Sequence, residues 1–210
     1  MYQLFFKRLG RCFALALLLI AAGCAGPQQS LTETPAATIT VPPAAQRQYN
    51  EALEWLEAGE FEAAAVQFEA FVQRYPNFAG AYINLAIINV KLERQDDALS
   101  MLERALTIDS SNAAALNQLG LIKRRNGDFV GAESAWRAAI DAHPEYAYAW
   151  YNLGVLYDLY LQNLPAALVH YQAYQNLTDG TDDDVTVDRW IVDLQNRIGA
   201  PPQTALTGDE

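Results

Sequence analysis

Small residues return along this chain at a fixed step of 34, at Ala52, Ala86, Gly120 and Gly154. A second small set, Ala64, Ala98 and Ala132, keeps the same step and reaches Ala167 after 35. Bulky residues stand four places after each member of that set, as Phe68, Leu102, Trp136 and Tyr171; three further on come Phe71, Ala105, Ala139 and Tyr174. Pro76 and Pro144 close the first and third units. No other feature constrains the fold as much, because a unit of this length buries its apolar side only by stacking on its neighbours. Two helices cross closely only where side chains are small, and a large residue one turn away fills the wedge beside the crossing.

The fourth unit shows the pattern as AWYNLGVLYDLY (Ala149 to Tyr160), and the third as LNQLGLIKRRNGDFVGAESAWRAAIDAHP (Leu116 to Pro144). Both resemble the tetratricopeptide repeat family, a helix-turn-helix with small residues and aromatics at these positions. The resemblance implies an all-α solenoid of about four repeats over residues 45–180. Glu51, Asn89 and Ser110 depart from the family pattern. So does one extra residue in unit four, expected between its helices around Gln162 to Pro165. Beyond TDGTDDD (Thr178 to Asp184), Val187, Trp190, Ile191, Leu194 and Ile198 fall at helical spacing on one side. A capping helix over 181–200 follows, closing the open end that a solenoid otherwise leaves, with Gly199 and Pro201 as its stop. The run Asp182 to Asp184 lacks the spacing of a calcium loop and suits a helix start.

Residues 1–23 carry Lys7, Arg8 and Arg11, no acid, and then the apolar segment Cys12 to Ala22, in the manner of a secretory signal. Such a segment is too short to span a bilayer. Ala21, Ala22 and Gly23 precede Cys24, which resembles the lipobox of bacterial lipoproteins. That resemblance implies cleavage before Cys24 and its acylation, with several acyl chains together anchoring firmly. A plain signal-peptidase cut after Ala25 is the competing reading. Ala25 is not the Asp that retains such lipoproteins at the inner membrane, so the implied address is the outer membrane, periplasmic face. Residues 24–44, rich in Pro, Thr, Ala and Gln, form an expected flexible linker. The tail 201–210 is expected to be flexible as well.

Cleavage would leave 11 of the 14 basic residues and all 25 acids, a net charge of −14. Such an excess argues against nucleic acid as a partner and against polybasic adhesion to anionic lipid. With two cysteines, Cys12 and Cys24, and two histidines, His143 and His170, the parts for a nucleophile-base pair or a zinc site are lacking. No Gly-rich phosphate loop is present. No enzyme activity, cofactor, metal or small-molecule substrate is expected. An enzyme of the cell wall would require a carboxylate pair facing one pocket.

In the family that the repeats resemble, the first helix of each pair lines the concave side. This places Asn50, Asn84, Gln118 and Asn152 there as an amide ladder. Carboxamides offer donors and an acceptor to the backbone of an extended peptide, whatever its side chains. Tyr148 and Tyr151 would add contact area at low entropic cost. The bland alternative is that Asn at this position is a family default. Lys91, Arg124 and Arg125 end first helices, where cations favour the dipole, yet in an acidic chain their grouping suits an acidic ligand. Taken together, a membrane-tethered adaptor holding an extended segment of a partner protein is expected. Its layout is similar to the lipoproteins that assist type IV pilus secretins. A self-associating structural lipoprotein, with the tail of one copy in the groove of another, is the alternative.

Overall fold

The computed structural model describes residues 41–178 and 185–199. The proposed signal peptide, Cys24, nearly all of the linker, the Asp182 to Asp184 run and the tail lie outside the described residues. Those described form α1 (Pro43–Glu57), α2 (Phe61–Arg74), α3 (Ala79–Lys91), α4 (Gln95–Ile108), α5 (Ala113–Arg125), α6 (Phe129–Ala142), α7 (Ala147–Val155), α8 (Leu164–Thr178) and α9 (Val185–Gly199). Among them there is no strand. The helices pair in sequence, α1 with α2, α3 with α4, α5 with α6 and α7 with α8, and α9 packs on α8.

The periodic residues do what their sizes dictate. Ala64, Ala98, Ala132 and Ala167 are sealed from solvent, as are Phe68, Leu102, Trp136 and Tyr171 one turn further along the same helices. The two glycines of the first small set are needed where the opposing ring is largest. A Cβ on Gly120 would meet the Trp136 ring at 2.5 Å, and one on Gly154 would meet Tyr171 at 2.5 Å. Where the partner is Phe68 or Leu102, Ala52 and Ala86 fit.

Each helix pair turns through a residue in the left-handed region: Gly59 (φ 78°), Glu93 (φ 60°), Gly127 (φ 78°) and Gln162 (φ 51°). In the first three units the next N–H bonds back five residues, as Glu60 to Trp55, Arg94 to Asn89 and Asp128 to Lys123. This is the left-handed helix stop that satisfies otherwise orphaned carbonyls.

The fourth unit differs, and not where the sequence suggested. Its interhelix turn, Leu161 to Asn163, is as short as the others. The extra residue is taken up one turn earlier, where α7 widens into a π-helical turn at Leu156–Tyr160. Leu161 N–H bonds back to Leu156 O (3.0 Å), and Asn163 N–H reaches six residues back to Tyr157 O (2.8 Å). The turn geometry that the other units share is kept in this way.

Asp109 explains how unit two manages with Ser110 in place of proline. Its carboxylate accepts from the Ser111 N–H and hydroxyl and from the Asn112 amide, a turn that the side chain builds. On α9, Val187, Ile191 and Leu194 are buried, while Ile198, expected on the same side, is exposed. Trp190 lies on the rings of Tyr171 and Tyr151, at 5.4 and 6.1 Å.

Candidate functional site

First helices of successive repeats touch one another, α3 with α5 and α5 with α7, and no comparable contact joins second helices among the described residues. The first helices therefore line the inner side of the stack. On that side Val90 of α3, Gln118, Leu121, Ile122, Arg124 and Arg125 of α5, and Tyr160 of the π-helical turn enclose a hollow of about 290 Å³. Three sequence-predicted site residues, Gln118, Arg124 and Arg125, come together in it.

The four amides do not form an even ladder. Asn84 Nδ2 donates to the Tyr49 hydroxyl (2.8 Å), a residue of the preceding repeat. Asn152, only 6 % exposed, donates in the same way to Asn117 Oδ1 (2.8 Å). Both pairs are 35 apart, one repeat plus one residue. At the joint between them the partner position is Ile83, which has no acceptor, and Gln118 makes no such bond. Gln118 is half-buried and faces the hollow. Asn50, exposed on α1, accepts from Gln46 Nε2 (2.9 Å). The expectation of four equivalent groove amides is thus corrected: Asn84 and Asn152 are engaged in joints between repeats, because a polar group buried there needs a partner.

The remaining predicted residues divide similarly. Arg124 is held between two aromatic faces, its guanidinium carbon 5.8 Å from the Trp136 ring and 5.6 Å from that of Tyr160. Arg125 and Lys91 are exposed. Neighbouring Lys123 pairs with Asp128 (2.9 Å), which also accepts from the Gly131 N–H at the start of α6. Tyr148 is exposed with its ring beside Tyr146, 6.0 Å between centroids. Tyr151 packs on Tyr174 (5.3 Å) and under Trp190 of the capping helix, so half of it is withdrawn from the inner face. Sequence reasoning missed Tyr160. The signal was the step of 35 into unit four, which showed an added residue without showing that a helix would absorb it.

A second polar cluster ties α6, the π-helical turn and α8. The Tyr157 hydroxyl donates to Glu133 Oε1 (2.5 Å), and Arg137 donates to the same oxygen (2.8 Å) and to the Tyr157 oxygen (2.8 Å). The Tyr157 hydrogen bond, with Arg137, holds the Glu133 carboxyl below its ordinary range. His170 stacks on Tyr157, centroids 5.3 Å apart and planes 4° from parallel, and lies 5.5 Å from Trp150. Its Nδ1 is buried without a hydrogen-bond partner. Burial, helped by the Arg137 charge, pushes its pKa down to about 4. Among the described residues no group of three or more His, Cys, Asp or Glu could hold a metal ion, and no helix is long and apolar enough to cross a membrane.

Stacked helical hairpins with an open inner hollow define a repeat scaffold for protein interaction. A tetratricopeptide repeat model matches residues 49–113 and 117–182, and the chain belongs to that family. It is 33 % identical over 81 residues to the CTR9 homolog of Arabidopsis thaliana, a match spanning 39 % of this chain and 7 % of that protein. The solved structure of Pseudomonas aeruginosa pilF superposes with a TM-score of 0.66 at 22 % identity, over 74 % of this chain and 69 % of pilF. YrrB, described as a TPR protein with an unusual peptide-binding site, gives a TM-score of 0.53 at 25 % identity over 69 % and 72 % of the two chains.

Proposed function

We propose that this protein is a non-catalytic adaptor, tethered through acylated Cys24 to the periplasmic face of the outer membrane, that holds an extended segment of a partner protein. The observation that carries the reading is the inner hollow, where Gln118 keeps its amide free of the interrepeat bond and Arg124 and Arg125 supply positive charge. A free carboxamide can pair with a peptide backbone, and a guanidinium can pair with a carboxylate. The peptide-binding site of the similar YrrB supports a peptide as occupant. Assembly of an envelope machine such as a pilus or secretion complex is the natural setting, given the signal and lipobox pattern of residues 1–24. Tethering raises the effective concentration of both molecules at one surface, so a weak groove contact suffices.

Photocrosslinking in cells tests the adaptor role. A crosslinker at Gln118 should capture one heterologous envelope protein, in yield well above that from Glu103 on the exposed side of α4. Equal yields from the two positions would remove the inner face from the argument.

A further inference from the structure

The added residue of unit four can be placed by counting. Trp55, Asn89, Lys123 and Tyr157 follow one another at steps of 34, whereas Tyr160 follows Arg125, and Gln162 follows Gly127, at 35. The addition therefore falls between Tyr157 and Tyr160, inside the π-helical turn. Such a turn is rare, and this one has an alternative. Were it to relax to an α-helix, Leu159 would take the place of Tyr160, Tyr160 would swing about 100° round the axis, and the added residue would pass into the turn before α8. In the π form Tyr160 stands over Arg124, against Phe129, and lines the hollow.

His170 stands where it opposes that change. Its ring lies flat on Tyr157, just ahead of the added residue, and so fixes the span between α7 and α8 that the turn bridges. Its Nδ1 is shut away from solvent and unbonded. In the Nε2–H tautomer that nitrogen is a bare lone pair, which burial tolerates; a second proton would put an N–H there with nothing to accept it. From α6, Glu133 already accepts from Tyr157 and Arg137, and Arg137 is itself a cation. On the π-helical turn Asp158 is held by Arg197 of α9, and Asp188 of α9 is taken by Gln175. Trp150 of α7 has given its N–H to Pro144 O. The Tyr157 face is parallel to the imidazole, so it attracts a cation without meeting an N–H that lies in the ring plane. Glu133 titrates below the ordinary carboxylate range, which leaves His170 as the member of this cluster that changes charge in mild acid.

We propose that His170 is a proton-sensitive latch on the inner face: neutral, it keeps the π-helical turn and holds Tyr160 in the hollow; protonated, it leaves Tyr157, the turn relaxes, and the hollow loses a wall. What the latch controls rests on the adaptor reading, while the movement itself does not. A latched ring has its pKa at about 4 and a released one returns to 6.5, so release is favoured as pH falls between these values. The ratio of released to latched form should rise roughly twentyfold from pH 7 to pH 5. A partner seated against Tyr160 is let go on acidification.

Fluorine NMR on the full chain in detergent tests the latch, with 3-fluorotyrosine in place of Tyr160. A second resonance should grow as pH falls, its ratio to the first rising roughly twentyfold between pH 7 and pH 5. His170→Phe should keep the neutral-pH spectrum throughout. Deletion of Leu159 removes the added residue and should leave a single resonance at both pH values, an independent check should His170→Phe fold poorly. A native spectrum unchanged by acid, or a change that survives in both variants, overturns the latch. Photocrosslinking from Gln118 in cells reads the consequence for the partner: the yield should fall about fivefold from pH 7 to pH 5 in the native chain and stay level in His170→Phe. An equal fall in both would overturn the regulatory role. Should Gln118 capture no more than Glu103 at pH 7, the adaptor reading falls by itself, and the fluorine ratio still decides the latch.

Discussion

The Asn152 side-chain amide donates to Asn117 Oδ1 across 2.8 Å, joining the fourth repeat to the third through two residues that are almost wholly buried. The backbone carbonyl of Asn117 accepts from Trp136 Nε1 (3.2 Å), so Asn117 ties together α5, α6 and α7. Removing either amide strands the other in a dry place. Asn152→Ala and Asn117→Ala should each cost about 1–3 kcal/mol. A double-mutant cycle by urea unfolding should show coupling of about 1 kcal/mol or more. Additive costs would mean that the bond contributes nothing specific.

Small and large residues opposite one another at a helix crossing should be exchangeable only as pairs. Gly154→Ala drives a Cβ into the Tyr171 ring, and destabilisation of about 1–3 kcal/mol is expected despite the better helix propensity of Ala. Combining it with Tyr171→Leu recreates the Ala86 and Leu102 arrangement of unit two, and part of the loss should return. A double variant no better than the sum of its parts would contradict the pairing.

Glu93 holds φ at 60°, where units one and three have glycine. A side chain in that region costs about 1–2 kcal/mol, part of which glycine gives back as entropy in the unfolded chain. Glu93→Gly should therefore raise stability by about 0.5–1 kcal/mol. Thermal unfolding measures it, and a lowered melting temperature would show that Glu93 makes a compensating contact.

His170 makes the stability depend on pH. Its pKa is depressed to about 4 in the folded chain from 6.5. Folding thus favours the neutral ring, so its contribution is complete above pH 6.5 and is lost as pH falls toward 4. Glu133 and Arg137 on α6 and Tyr157 beside the ring are the charged and titratable groups in this cluster. The loss should be on the order of 2 kcal/mol. His170→Phe keeps the stack on Tyr157 and should flatten that part of the profile in denaturant melts from pH 7 to pH 4.5. An unchanged slope in the variant would assign the dependence to other groups.

The repeats were legible in the sequence because they are fixed by volume. A step of 34 between small residues, with a bulky residue four places on, favours one way to stack, and Ala64, Ala98, Ala132 and Ala167 are buried as that stacking requires. The inner face was legible only in part. Position within a repeat groups Gln118, Arg124 and Arg125, which line one hollow, yet it could not separate them from Asn84 and Asn152. That distinction depends on the residue one repeat earlier, where Tyr49 and Asn117 offer an acceptor and Ile83 does not. The π-helical turn was hidden for a similar reason. An inserted residue shows its presence in a count, while its location depends on whether the turn or the helix yields more cheaply.

The most direct test is hydrogen–deuterium exchange on the full chain, with and without the partner segment captured from Gln118. Protection is predicted on α5 and on Leu156–Tyr160, with α2 and α4 unchanged. Protection confined to α2, α4 and α6, with α5 exchanging as before, would contradict an inner-face adaptor.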